Sequence, residues 1–137
     1  MKYSFKLLIA ERNRHIRTFI QREFVAEGFE VFPAKDSIEI YKLLQEKDYH
    51  LLILDEEIIK VGVFPVLDYI YKVKPSLPII LYVFQGQTQD EKDIPQIKAR
   101  IEKSGNPNRL KTCVIKVLFE CYPLQFQEKG NLNIYEQ

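Results

Sequence analysis

Leu51-Leu52-Ile53-Leu54-Asp55 is a run of four large apolar residues closed by an acid. A strand that faces solvent on one side alternates apolar and polar residues. A continuous apolar run instead marks a strand covered on both faces, as in parallel sheets. Two further runs of this kind flank it, Leu7-Leu8-Ile9-Ala10 and Pro78-Ile79-Ile80-Leu81-Tyr82-Val83, the latter with its proline at the tolerated first position. Shorter strands are expected at Phe29 to Phe32 and Ala99 to Glu102. Helical periodicity fills the gaps. Ile16, Phe19, Ile20, Phe24 and Val25 follow a cap at Asn13 and end at Gly28. Ile38, Ile40, Tyr41, Leu43 and Leu44 follow Asp36, which with Glu39 has capping-box spacing. Phe64, Leu67, Ile70, Tyr71 and Val73 form a third helix ended before Pro75. Leu110, Val114, Ile115, Val117 and Leu118 form the last, opened by Asn106-Pro107 and ending near Pro123. The segment from Gln85 to Lys98 is polar and holds Pro95, which leaves room for a short helix only.

Strand and helix therefore alternate five times, the pattern of an α/β protein with right-handed crossovers. The expected fold is a doubly wound five-stranded parallel sheet, order 2-1-3-4-5, with helices on both faces. In such sheets ligands sit beyond the carboxyl ends of the strands where the order reverses, here beside strands one and three. The residues that follow those strands' apolar runs are Glu11 and Asp55.

The chain has 137 residues, enough for one domain with its own core and too few for a separate output domain. A net charge of +1 gives no bulk electrostatic case for nucleic acid or an acidic membrane surface. No apolar stretch has the length of a signal-peptide core or a membrane span. Cys113 and Cys121, eight residues apart on one helix, are too distant to bridge, so reduced thiols in a cytoplasmic protein are expected. His15 and His50 have no partner at zinc-ligand spacing. Glycine-rich phosphate loops and a nucleophile elbow are absent from the sequence. A flavin carrier would share the fold class, but Glu11-Arg12-Asn13-Arg14 has no glycine and little hydroxyl content to cradle a phosphate. Arg12, Arg14, Arg17 and Arg22 read most simply as a solvated helix face. The tail, residues 124–137, alternates at Leu124-Gln125-Phe126-Gln127 and Leu132-Asn133-Ile134-Tyr135 and is expected as a hairpin or docking extension of a domain spanning 1–123.

Several motifs in order, Leu7-Leu8-Ile9-Ala10-Glu11, Ile16-Arg17, Leu52-Ile53-Leu54-Asp55, Pro78-Ile79-Ile80 and Glu102-Lys103-Ser104-Gly105 with Leu110, resemble the receiver domain of two-component response regulators. The resemblance covers about residues 5 to 120. It implies that Asp55 accepts a phosphoryl group from a sensor histidine kinase or phosphotransfer protein and that Lys103 contacts the phosphoryl oxygens. A cation there stabilises charge that develops on the transferring group. It implies a stand-alone, non-enzymatic signalling module that docks to a downstream protein, as a monomer or weak homodimer, with neither nucleic acid nor membrane as partner.

Three positions and one loop depart from that pattern. The family's paired acids after strand one become Glu11 and Arg12, so the implied Mg²⁺ site of Glu11, Asp55 and the backbone of Glu57 is weak or absent. The hydroxyl residue that ends strand four is Val83, the aromatic switch of strand five is Arg100, and the loop after the acceptor is Glu57-Ile58-Ile59-Lys60. One expectation is that Arg12 replaces the metal by pairing with Asp55; the other is that Arg12 swings into solvent and Glu11 still recruits a weak Mg²⁺. At an effective dielectric of about 20 and a separation of about 4 Å, such a pair gains on the order of 4 kcal/mol before desolvation. The alternative to a phosphorylated receiver is a phosphorylation-independent pseudo-receiver that binds a partner constitutively.

Overall fold

The computed structural model describes residues 5–62, 65–86 and 94–125. It contains β1 (Lys6–Ala10), α1 (Arg14–Ala26), β2 (Glu30–Ala34), α2 (Ser37–Glu46) and β3 (Leu51–Asp55). These are followed by α3 (Glu56–Val61), α4 (Val66–Val73), β4 (Ile79–Val83), β5 (Ile97–Glu102) and α5 (Asn108–Cys121). The five strands are all parallel, in the order β2-β1-β3-β4-β5 expected from the sequence.

Period-two alternation splits each continuous apolar run between two cores. Leu8, Ala10, Leu52, Leu54, Ile79, Leu81 and Val83 pack with Ile40 and Leu44 of α2, Ile58 of α3, and Val66 and Ile70 of α4. Leu7, Ile9, Leu51, Ile53, Ile80 and Tyr82 pack with Ile20 and Phe24 of α1 and with Leu110, Val114 and Leu118 of α5. β2 is an outer strand. Its Glu30 N–H and Ala34 carbonyl are directed at β1's side of the ladder, bonding Phe5 O and Glu11 N, which leaves Pro33 facing the open edge.

The caps form as their chemistry dictates. Asn13 Oδ1 accepts from Ile16 N at 3.0 Å, and Asp36 Oδ1 accepts from Glu39 N at 2.9 Å. Gly28 ends α1 in the left-handed region, φ 99°. The structure corrects several expectations. α3 was expected as loop, yet Asp55 caps a helix that begins at Glu56. β5 begins at Ile97 rather than Ala99, and α5 begins at Asn108, after Pro107. On α2 the buried face is Ser37, Ile40 and Leu44, while Ile38 and Tyr41 are exposed. The segment expected to be irregular and most of the tail fall largely on 87–93 and 126–137, outside the described residues. Among the described residues no helix is long and apolar enough to cross a membrane.

An aromatic staple closes the edge of the sheet opposite the strand ends that carry Glu11 and Asp55. His50 Nδ1 accepts from Lys6 N at 2.9 Å, and Tyr122 Oη donates to the His50 carbonyl at 2.8 Å. The rings of Phe5 and Tyr122 lie 5.0 and 5.2 Å from the imidazole. Burial, seconded by Lys6 and opposed by Glu30, holds the His50 pKa below its usual 6.5. The folded state therefore binds this proton less readily than the unfolded chain. The contribution of neutral His50 is complete above the unfolded pKa and is lost as pH falls through that value toward the lower folded one. Buried Glu11, with its pKa raised, works in the opposite sense. Urea unfolding at pH 7.5 and 5.5 is expected to show an acid-side loss for the native chain that His50→Gln reduces. An identical pH response in the variant would exclude His50 as its source.

Candidate functional site

Three strands deliver three charged side chains to one edge of the sheet. β1 hands the chain to Glu11, β3 ends on Asp55, and β5 hands it to Lys103. Because the strands are parallel and β1 and β3 are neighbours, these positions converge where the strand order reverses. Lys103 Nζ lies 2.8 Å from Asp55 Oδ1 and 3.1 Å from Glu11 Oε1. It donates to Glu11 Oε2 at 3.4 Å, whereas Oε1, although nearer, is buried and accepts no hydrogen bond among the described residues.

The cluster is nearly sealed. Asp55 is 1% exposed, Glu11 2%, and the Lys103 side chain 7%. Both Asp55 oxygens are engaged: Oδ1 by Lys103 Nζ and by Glu57 N at 3.0 Å, Oδ2 by Arg12 N at 3.1 Å. Asn13 N donates to Glu11 Oε2 at 2.9 Å, and Arg17 Nη1 reaches the Glu11 carbonyl at 2.8 Å. Desolvation, seconded by the charge of Asp55, raises the Glu11 pKa against the Asn13 N–H and Lys103. The ring of Phe84 lies 4.2 Å from Lys103 Nζ and that of Tyr82 lies 5.7 Å away, so the ammonium is held by two carboxylates and two aromatic faces.

The ion pair expected between Arg12 and Asp55 is not formed. Arg12 contributes its backbone N–H to Asp55, its side chain is exposed, and Lys103 is the cation at the carboxylate. The physical reason is local. The backbone after β1 turns Arg12 N toward Asp55 to start α1, and a charged side chain with an open path to water avoids desolvation there. Val83 is buried in the α2–α3–α4 core, and its carbonyl accepts from Lys103 N at 2.7 Å. Arg100 is drawn inward: its Nη1 meets Glu56 Oε2 at 2.9 Å, with side chains 11% and 3% exposed. Glu56 was missed in the sequence because an acid beside an acid at a strand end carries no periodic signal. Phe84 was missed because it lies past the strand.

A divalent metal is the natural question for paired carboxylates. Mg²⁺ asks for a near-octahedral set of oxygens and keeps several waters. Here two carboxylates converge, the neighbouring acid position is Arg12, and an ammonium already spans both carboxylates. No group of three or more side chains suited to a metal occurs among the described residues. Glu11 and Asp55 are the two carboxylates that would hold a divalent ion here.

No family model and no curated protein matches the chain. Solved structures do. The response regulator TrrA of Thermotoga maritima, in complex with Mg²⁺ and BeF, is 27% identical, with a TM-score of 0.70 over 85% of this chain and 98% of its own. The same regulator in complex with the histidine kinase ThkA matches at 27% identity and TM-score 0.70, over 86% of this chain and 99% of its own. A CheY-like receiver domain protein of Methanospirillum hungatei is 20% identical, with a TM-score of 0.70 over 91% and 98%. By architecture, then, this is a flavodoxin-like α/β protein. More particularly, its fold is that of the response regulator receivers of two-component systems.

Proposed function

We propose that this chain is an atypical receiver module that takes a phosphoryl group on Asp55 and acts by docking to a protein partner. The observation that supports it most is the Asp55–Lys103 contact of 2.8 Å at the reversal point of the sheet. In the proposed step an Asp55 carboxylate oxygen attacks phosphorus. An O–P bond forms as the P–N bond to a kinase phosphohistidine breaks, and the departing imidazole nitrogen keeps the electron pair. Lys103 then balances the added charge. The chain's part is to position the nucleophile and supply the cation; there is no turnover. A histidine kinase is the partner class, by analogy with the TrrA–ThkA pair.

A second reading is favoured by the burial of Asp55 and the engagement of both its oxygens. On that reading the fold binds its partner constitutively. Intact-mass spectrometry after incubation with acetyl phosphate, with Asp55→Asn as control, separates them. A phosphoryl adduct that the variant lacks is expected on the first reading. A folded protein that stays unmodified, even in a rapid-quench series, overturns the first in favour of the second.

A further inference from the structure

We infer that the groove between the start of α2 and the end of α3 is a binding site for a free, branched aliphatic α-amino acid. It is a second site, independent of whether Asp55 accepts phosphate. The groove has a volume of about 180 Å³. Ile58, which lines it, is 1% exposed and belongs to the core. Ile38 of α2 and Val61 of α3 line it too, yet these large aliphatic side chains are 54% and 53% exposed. An apolar cavity of about 150 Å³ accepts benzene, so this volume suits one branched side chain and is too small for a larger ligand.

Three polar side chains line the same groove, and each has bonding capacity left. Arg12 is exposed, and its guanidinium makes no hydrogen bond or ion pair among the described residues. Asp36 Oδ1 accepts from Glu39 N, which leaves Oδ2 free of the helix cap. Arg12 and Asp36 carry opposite charges in one groove, yet no ion pair joins them. Ser37 is 5% exposed, and its hydroxyl makes no hydrogen bond among the described residues. A buried hydroxyl without a partner is costly, and a ligand that brings an acceptor removes that cost. These groups define the ligand by its chemistry. A guanidinium calls for a carboxylate, and the Asp36 carboxylate calls for an ammonium. A zwitterion meets both at once, and an aliphatic one also covers Ile38, Ile58 and Val61. An apolar residue inside a peptide chain carries neither charge.

The test is a titration of the full chain with L-leucine, read by calorimetry and by the amide shifts of Ser37 and Val61. Saturable binding at millimolar leucine is expected. Isocaproate lacks the ammonium, isoamylamine lacks the carboxylate and glycine lacks the side chain. Each is expected to bind at least about tenfold more weakly than leucine. Arg12→Gln is expected to weaken leucine by a similar factor. Because Arg12 N also bonds Asp55, Ile38→Glu serves as a second variant at an exposed side chain and is expected to abolish binding. Absence of a saturable response to leucine in the native chain overturns the proposal, as does full affinity in both variants. Equal binding of N-acetyl-leucinamide, which has the side chain without either charge, also overturns it and marks the groove as a slot for a protein segment.

Discussion

Arg100→Ala is expected to destabilise the fold by about 3–5 kcal/mol, the usual cost of removing one partner from a buried ion pair. Glu56 is 3% exposed and meets Arg100 at 2.9 Å, while Lys60 lies 3.9 Å from its other oxygen with a side chain 40% exposed. Truncation of Arg100 would take from the buried Glu56 carboxylate its close ion-pair partner, while the more distant and better solvated Lys60 remains. The loss should be largely recovered in the double variant Glu56→Leu/Arg100→Met, because well-packed apolar pairs often match buried ion pairs in stability. Urea unfolding of the four proteins gives the coupling energy directly. A single-variant loss below about 0.5 kcal/mol would falsify the view that this pair braces β5 against α3.

Phe24→Ala is expected to cost about 3–5 kcal/mol for a different reason, the combination of lost transfer energy and a residual cavity. Phe24 is fully buried on α1, packs in the same core as Ile20, Ile53 and Leu118, and meets the Phe29 ring at 5.8 Å. The neighbours belong to a sheet and two helices that cannot all collapse into the space. Phe24→Leu, which empties less volume, should lose roughly 1.5 kcal/mol or less. Equal losses for the two variants would indicate that the site relaxes freely and that packing there is loose.

The sheet was readable because three of its strands are continuous apolar runs, and their burial on both faces is what such runs require. The ends of elements were harder. α3 opens with Glu56 and Glu57, two polar residues that resemble a loop until Asp55 is seen capping them. On α2, Ile38 and Tyr41 were counted with the apolar face, although the helix turns them outward and buries Ser37 instead. In the site, the placement of Glu11 and Asp55 followed from topology, since parallel strands bring their carboxyl ends to one edge, and Lys103 followed from the receiver resemblance. Side-chain direction did not follow. Position alone says that Arg12 adjoins Asp55, but only the backbone path shows that its N–H, rather than its guanidinium, makes the contact. The Arg100–Glu56 pair joins residues 44 apart in sequence and had no local signature.

Pro33, on the open side of β2, bears on how the protein behaves in a crowded solution. An outer strand with a full row of free N–H groups is a template on which another chain's strand can assemble. Proline has no N–H to offer, so the row is interrupted at that residue. The opposite border of the sheet, β5, carries the exposed charges Lys98 and Glu102. A neighbouring strand laid against it would have to accommodate charge along its length. Both borders of the sheet are thus poor seeds for intermolecular strand pairing, which protects a module with so apolar a centre from self-assembly through its backbone.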